Sequence, residues 1–367
     1  MTQLCIDARW LESGIGTHTL NLLRELGNRP DVEVHAITYQ QHQAILETYC
    51  RDVRVVNARI YSVSEQLAVT EATKACPLLH VPHYNVPLPR RGTLLVTIHD
   101  LTHILDDGYR NTWKSWAYAR PMLRLAARKA DHIFTVSEYS KRQIIEHLGV
   151  ADSKVTVTYC GVGPEYFPEP MDAARERVQK SCGLERPYIL NVGSYRPHKN
   201  VEGLMRAFAR VRQTSGHDWE LLLIGEFARA RDPLMKVASR LGVAGRTRIV
   251  GRVPDDILRA AYSAAELTVV PSFEEGFGLP MVESMACGTP VVCSRAASLP
   301  EVAGDAAEYF DPRDVESIAN ALERVLLSRD TRARLRQRGF ERTRQFSWQA
   351  CANAHVEIYR QYSSPAN

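Results

Sequence analysis

Short apolar runs alternate with longer stretches in which apolar residues recur every three or four positions. The runs predict strands over 4–6, 32–38, 78–81, 94–98, 132–136 and 155–157, separated by helical patterns that include 17–26, 113–129 and 138–148. A second series of strands begins at 188–192 and continues through 220–224, 247–250, 267–270, 290–293 and 307–310. Its helices are expected over 200–213, 232–241, 255–264, 280–287 and 315–326. This alternation is the pattern of βαβ units, whose parallel strands are covered on both faces and therefore read as continuous apolar runs. A last helix is expected over 348–362, with Trp348, Cys351, Ala352, His355, Val356 and Tyr359 along one side.

Between the two series, Gly161, Gly163, Pro164, Pro168 and Pro170 make a turn-rich stretch of the kind that separates domains. The expected organisation is α/β: a Rossmann-like domain over 1–165, a linker over 166–186 holding a short polar helix, a second Rossmann-like domain over 187–346, and a closing helical segment over 347–367. Ligands of such open sheets bind beyond the carboxyl ends of the strands, so a site in a cleft between two facing domains is expected. A chain of 367 residues suits two cores of this size.

Composition narrows the function classes. Hydrophobic residues make up 45% and charged residues 24%, an ordinary globular mixture, and a net charge of +4 is too small to argue for nucleic acid. The eight cysteines are scattered without a C-x-x-C pair, which disfavours a disulfide framework or structural zinc and favours buried thiols. No run approaches the roughly 20 apolar residues of a spanning helix. The chain opens directly on a strand, without a charged leader. A cytoplasmic protein is expected.

Candidate chemistry gathers where strands end. After the strand over 267–270 come Pro271-Ser272 and then Glu275-Gly276-Phe277-Gly278-Leu279-Pro280-Met281-Val282-Glu283. Glycines let the backbone approach a ligand closely, Pro280 suits a first helical position, and a helix N-terminus attracts a pyrophosphate. Glu283, expected in the first turn, is placed to accept bonds from ribose hydroxyls, and Glu275 to reach a sugar at the other end of a diphosphate. A capping carboxylate on an ordinary strand–loop–helix is the plainer alternative.

Gly193-Ser194-Tyr195-Arg196-Pro197-His198-Lys199-Asn200, directly after the strand over 188–192, makes a second anion site, with Arg196 and Lys199 as cations; a solvated basic turn is its alternative. Ser13-Gly14-Ile15-Gly16 follows the first strand but lacks the full G-x-G-x-x-G fingerprint. His99-Asp100 closes the strand over 94–98, where His99 either meets a sugar or is satisfied by its neighbour.

Together these motifs resemble family 4 of the retaining glycosyltransferases, which have the GT-B fold. The likeness covers nearly the whole chain, through Asp7-Ala8-Arg9, Gly14-Ile15-Gly16, Thr97-Ile98-His99-Asp100, Thr135 to Lys141, Pro197-His198-Lys199-Asn200, Glu275 to Glu283, Leu299-Pro300-Glu301-Val302 and Phe346-Ser347-Trp348. The resemblance implies that Glu275 contacts the donor sugar, Glu283 the ribose and Lys199 the diphosphate, aided by Arg196. It also implies that His99 approaches the hexose, that Gly16 lies below the diphosphate, and that Arg252-Val253 hold the nucleotide base through backbone contacts. The last helix is expected to cross back onto the N-terminal domain.

No Asp-x-Asp is present, so no metal or other cofactor is expected, and the side-chain cations and helix dipole would hold the diphosphate. The sequence variants look most like mannosyl- or rhamnosyltransferases of bacterial surface polysaccharide assembly. The expected donor is GDP-mannose and the expected acceptor a glycan or lipid-linked sugar. A GT-B nucleotide-sugar epimerase and a non-catalytic nucleotide-sugar-binding protein are the competing readings. Finally, the helix over 113–129 carries Lys114, Arg120, Arg124, Arg128 and Lys129 with Trp113, Trp116 and Tyr118 and no acid. Such a face suits peripheral contact with an anionic membrane, or is simply solvated.

Overall fold

The computed structural model describes residues 1–105 and 113–363, and for residues 113–118 and 228 the backbone alone. The chain forms two compact units, Met1–Gly161 with Ser347–Asn367, and Val162–Phe346.

The first unit is built on a parallel sheet of seven strands: β1 (Thr2–Asp7), β2 (Val32–Thr38), β3 (Asp52–Val55), β4 (Leu78–Val81), β5 (Thr93–Thr97), β6 (His132–Thr135) and β7 (Val155–Val157). Their order is β3-β2-β1-β4-β5-β6-β7, so the winding reverses between β1 and β4. Leu4 pairs with Val34 on one side and Leu78 on the other, and all three are buried. Helices α1 (Gly14–Gly27), α2 (Val63–Thr73), α3 (Trp113–Lys129) and α4 (Glu138–Leu148) lie between strands. Ser137 Oγ caps α4 by accepting the Ser140 N–H at 3.1 Å, and Gly149 ends it in the left-handed conformation.

On α3, Ala119, Met122, Leu123, Ala126 and Ala127 are buried while Arg124, Leu125 and Arg128 are exposed. Lys129 leaves that outer face, because its ammonium donates to the Leu88 and Arg90 carbonyls. The side chains of Trp113, Lys114, Trp116 and Tyr118 lie outside the described residues.

The second unit has six parallel strands: β8 (Tyr188–Ser194), β9 (Glu220–Glu226), β10 (Thr247–Val250), β11 (Leu267–Val270), β12 (Val291–Ser294) and β13 (Ala307–Phe310). The order β10-β9-β8-β11-β12-β13 again reverses at its centre, between β8 and β11. Its helices are α5 (Met171–Cys182), α6 (Val201–Ser215), α7 (Arg231–Arg240), α8 (Asp255–Ala264), α9 (Leu279–Ala286), α10 (Leu299–Ala303), α11 (Val315–Leu326) and α12 (Arg329–Thr343). Much of the stretch expected as a linker is structure of this unit. Within it, Ala174, Val178 and Cys182 of α5 share a core with Ala260, Ala261 and Tyr262 of α8. The chain passes between units at Gly161 instead.

The last helix, α13 (Trp348–Ser363), belongs to the first unit. Its expected apolar side is buried, with Ala352, Val356 and Tyr359 packed among Leu4, Ile6 and Leu22. His80 fastens it, with Nδ1 2.7 Å from Tyr359 Oη and Nε2 2.8 Å from Thr97 Oγ1. All eight cysteines are free thiols. No helix of the described residues is long and apolar enough to cross a membrane.

Candidate active site

The strongest constellation lies at the carboxyl ends of β8 and β11, where the second sheet reverses its winding. Beyond β8 the chain makes one tight helical turn over Pro197–Lys199, and Asn200 follows in the left-handed region at φ 50°, its Nδ2 donating to the Pro312 carbonyl at 2.8 Å. That turn aims Lys199 at the loop after β11. Lys199 Nζ donates to Glu275 Oε1 at 2.6 Å, and Ser272 Oγ donates to the same oxygen at 2.8 Å. Ser298 Oγ holds the Glu275 carbonyl at 2.9 Å, and the Phe273 N–H donates to the His198 carbonyl at 2.7 Å. The Lys199 and Glu275 side chains are 26% and 13% exposed, so the clamped pair is accessible to a ligand.

The loop after Glu275 runs into α9. Gly276, Phe277 and Gly278 are buried, and the Phe277 ring packs edge-on against Phe346 at 5.3 Å. Gly278 sits at φ 91°, a left-handed conformation that favours glycine, and a Cβ there would press on Leu299 Cδ2 at 2.8 Å. The helix starts at half-buried Leu279, one residue before Pro280, so Glu283 falls just past the first turn rather than within it. Glu283 is buried, with Oε2 accepting the Tyr262 hydroxyl at 2.8 Å. Burial pushes its carboxyl up to about 7, against the pull of the Tyr262 hydrogen bond, with Glu165 and Asp255 adding to the rise.

Other expected site residues are more dispersed. Arg196 is exposed at the head of the Pro197 turn, and Gly193 is half-buried near the end of β8. Arg252 pairs with Glu226 at 2.5 Å, and Val253 packs against the core of α5 and α8.

His99 and Gly16 belong to the first unit. His99 Nε2 donates to the Pro82 carbonyl at 3.2 Å, which leaves Nδ1 as the acceptor nitrogen of the neutral ring. Burial holds this imidazole below the usual histidine range, partly offset by Asp100 and the Pro82 bond. Gly16 lies within α1, where a Cβ would sit 2.3 Å from the Leu11 carbonyl; close backbone approach explains the glycine there.

Sequence reasoning overlooked three partners. Ser272 had a signal, standing after Pro271 at the end of β11, and Ser298 stands just before Leu299-Pro300. Tyr262 had none, being one aromatic inside an ordinary amphipathic helix.

Comparison with known proteins gives a consistent picture. Residues 172–342 match the family model Glycosyl transferases group 1, and residues 13–166 match Glycosyltransferase Family 4. Over 283 residues the chain is 32% identical to the O-antigen chain mannosyltransferase B of Escherichia coli, a match covering 77% of this chain and 74% of that one. It is 28% identical over 295 residues to the serotype-specific mannosyltransferase WbdA of Escherichia coli, covering 76% of this chain but 35% of that longer protein. In fold, it resembles a sucrose-phosphate synthase from Thermosynechococcus elongatus, with a TM-score of 0.80 over 98% of this chain and 99% of that one, at 21% identity.

Proposed function

We propose that this chain, which belongs to glycosyltransferase family 4 and has the GT-B fold, transfers mannose from GDP-mannose to a glycan or lipid-linked sugar with retention of configuration. As a family member it is a glycosyltransferase that draws on a nucleotide-sugar donor. Mannose as the sugar is supported by the printed activities of its Escherichia coli relatives.

The observation that carries the reading is the Lys199–Glu275 pair, an accessible cation and carboxylate fixed by Ser272 and Ser298 at a sheet's reversal point. A diphosphate leaving group gathers negative charge as the glycosidic bond breaks, and Lys199, helped by Arg196, stabilises that charge. Glu275 accepts from a hydroxyl of the donor sugar, and Glu283 from the ribose. His99 hydrogen-bonds the hexose, Gly16 lies below the diphosphate, and the Arg252-Val253 backbone holds the base. The acceptor oxygen bonds to the anomeric carbon on the leaving-group face as the bond to the phosphate oxygen breaks. That phosphate oxygen takes the acceptor's proton, so retention needs no covalent enzyme intermediate. Side-chain cations do the work otherwise given to a metal. Arg120, Arg124 and Arg128 support peripheral contact with an anionic membrane, where a lipid-linked acceptor resides.

Thermal melting with a panel of GDP- and UDP-sugars tests the donor, and incubation of the stabilising donor with mannosides, read by NMR of the product anomer, tests the reaction. Stabilisation by GDP-mannose and an α-linked product are expected. Conversion of the donor to another nucleotide sugar without acceptor, or an inverted product, overturns the reading.

A further inference from the structure

The carboxyl ends of β1 and β4 mark the reversal point of the first sheet, the position at which open α/β sheets bind ligands. Four aromatic rings meet in the loops there, and the buried His83 imidazole lies against both Trp10 and Tyr84, whose ring centroid is 4.1 Å away. The Trp10 indole stacks on the His83 imidazole, with centroids 4.3 Å apart and planes 19° from parallel, and meets the Tyr61 ring edge-on at 5.8 Å.

A buried ionic network holds all three loops. Arg9 donates to Asp7 through Nε at 2.8 Å and Nη2 at 2.6 Å, and its Nη1 lies 2.8 Å from Glu65 Oε1. Glu65 also accepts the Tyr61 N–H at 2.6 Å and Asn85 Nδ2 at 2.9 Å. Arg9, Asp7 and Glu65 are at most 3% exposed. Burying three charges costs stability unless every partner is in place, and such groups serve to specify geometry. Here the network reaches each ring: Arg9 adjoins Trp10, Glu65 at the head of α2 grips the Tyr61 backbone, and uncharged Asn85, bonded to Glu65, lies two residues beyond His83. Tyr61 is held at φ 65°, a conformation bulky residues rarely adopt, with its ring 47% exposed.

Chemistry selects the ligand class. The Asn85 N–H donates to His83 Nδ1 at 3.1 Å, so the ring proton sits on Nε2. Burial pushes the His83 pKa down to about 3, with His99 and His103 adding to the fall, and the ring is neutral at physiological pH. The cation of the network, Arg9, is buried and ion-paired with two carboxylates that offset its charge. A partly exposed indole backed by a neutral imidazole, beside an exposed tyrosine ring, suits the C–H face of a pyranose. We propose that Trp10 and Tyr61 form the platform on which the acceptor's terminal sugar stacks, with His83 backing the indole and with Arg9, Asp7 and Glu65 as positioning residues. This inference rests on the reading of the chain as a transferase with a saccharide acceptor.

The test titrates intrinsic tryptophan fluorescence with methyl α-mannoside, an α-linked mannobiose and, separately, GDP, then measures acceptor KM and kcat with GDP-mannose. Saccharide is expected to shift the emission of the native protein and of Trp219→Phe but not of Trp10→Phe. Trp10→Ala and the solvent-exposed Tyr61→Ala are each expected to raise acceptor KM about tenfold, the worth of one aromatic contact, with a much smaller change in kcat. Circular dichroism of both variants confirms folding. A saccharide signal that survives in Trp10→Phe, acceptor KM unmoved in both alanine variants, or GDP reporting through Trp10 overturns the platform while leaving sugar transfer standing. If the native protein transfers no sugar from any donor, that reading fails, and direct saccharide binding at Trp10 still decides the platform.

Discussion

Lys199 and Glu275, 76 positions apart in the chain, meet at 2.6 Å beyond the central strands of the second sheet. An ion pair this open to water contributes at most about 1 kcal/mol to stability, so the fold depends little on it. Ser272 and Ser298 spend two further hydrogen bonds on the same glutamate, which narrows its freedom before any donor arrives.

Replacing Lys199 or Glu275 by alanine should therefore leave the fold intact and remove most transfer. Each variant would lose the charge-assisted contact to the donor proposed above, a loss of about 2–4 kcal/mol of barrier or 10²–10³ in rate. Initial rates with GDP-mannose, alongside thermal melts, measure both sides of the claim. Near-normal turnover in either folded variant would sink the assignment.

Glu283 links the site to pH. Its carboxyl sits at about 7 in the fold against 4.5 for the free group, so between those values the folded chain holds a proton that the unfolded chain has released. Stability therefore falls as pH rises through that window and stays lower above it, by about 3 kcal/mol. Glu283→Gln keeps an acceptor for the Tyr262 hydroxyl and has no proton to lose. Its melting temperature should match the native protein near pH 4.5 and exceed it at pH 8. Ribose hydroxyls favour the carboxylate, so GDP affinity should rise with pH through about 7 in the native protein and stay flat in Glu283→Gln. Parallel melting curves for the two proteins would show that Glu283 titrates normally.

Legibility in the sequence followed from which residues face inward. The parallel strands were readable because Leu4–Ile6, Leu221–Ile224 and Val291–Cys293 are buried on both faces, leaving unbroken apolar runs. Helix α2 was not, because Val63 and Leu67 are 81% and 63% exposed while Glu65 is buried against Arg9, the reverse of the usual pattern. Helix α12 also escaped, since only Leu335 and Gly339 of its residues are buried. At the site, glycine and proline punctuation disclosed Lys199 and Glu275 one at a time. Their contact, and the network joining Arg9 to Glu65 and Asn85, depends on which strand ends the topology brings together, and no local spacing records that.

The proposed binding of the diphosphate by Lys199 and Arg196 predicts tolerance of chelators. EDTA should leave initial rates within about twofold, under roughly half a kcal/mol of barrier. Loss of activity that magnesium or manganese restores would mean that a metal shares the diphosphate, and the charge assigned to Lys199 and Arg196 would have to be divided with it.

The outer face of α3 makes the last claim. Arg120, Arg124 and Arg128 repeat at a spacing of four residues and so run along one side of the helix, opposite buried Ala126, with half-buried Arg120 bordering the face of buried Leu123 and Ala127. Exposed Leu125 lies beside Arg124 and Arg128, while Lys129 is occupied by the Leu88 and Arg90 carbonyls, so the arginines carry the charge of this face. Near an anionic bilayer each cation adds about 1 kcal/mol of attraction, which falls away within a Debye length. Purified protein is expected to sediment with phosphatidylglycerol vesicles at low salt and to detach as salt is raised. Changing Arg120, Arg124 and Arg128 together to Ser removes three positive charges, two of them on exposed side chains, and replaces no buried residue, so vesicle binding should drop by more than tenfold, the worth of about 1.4 kcal/mol, in a variant whose folding is checked by its thermal melt. Unchanged sedimentation of the triple variant would make this a solvated face and leave the acceptor to be met in solution.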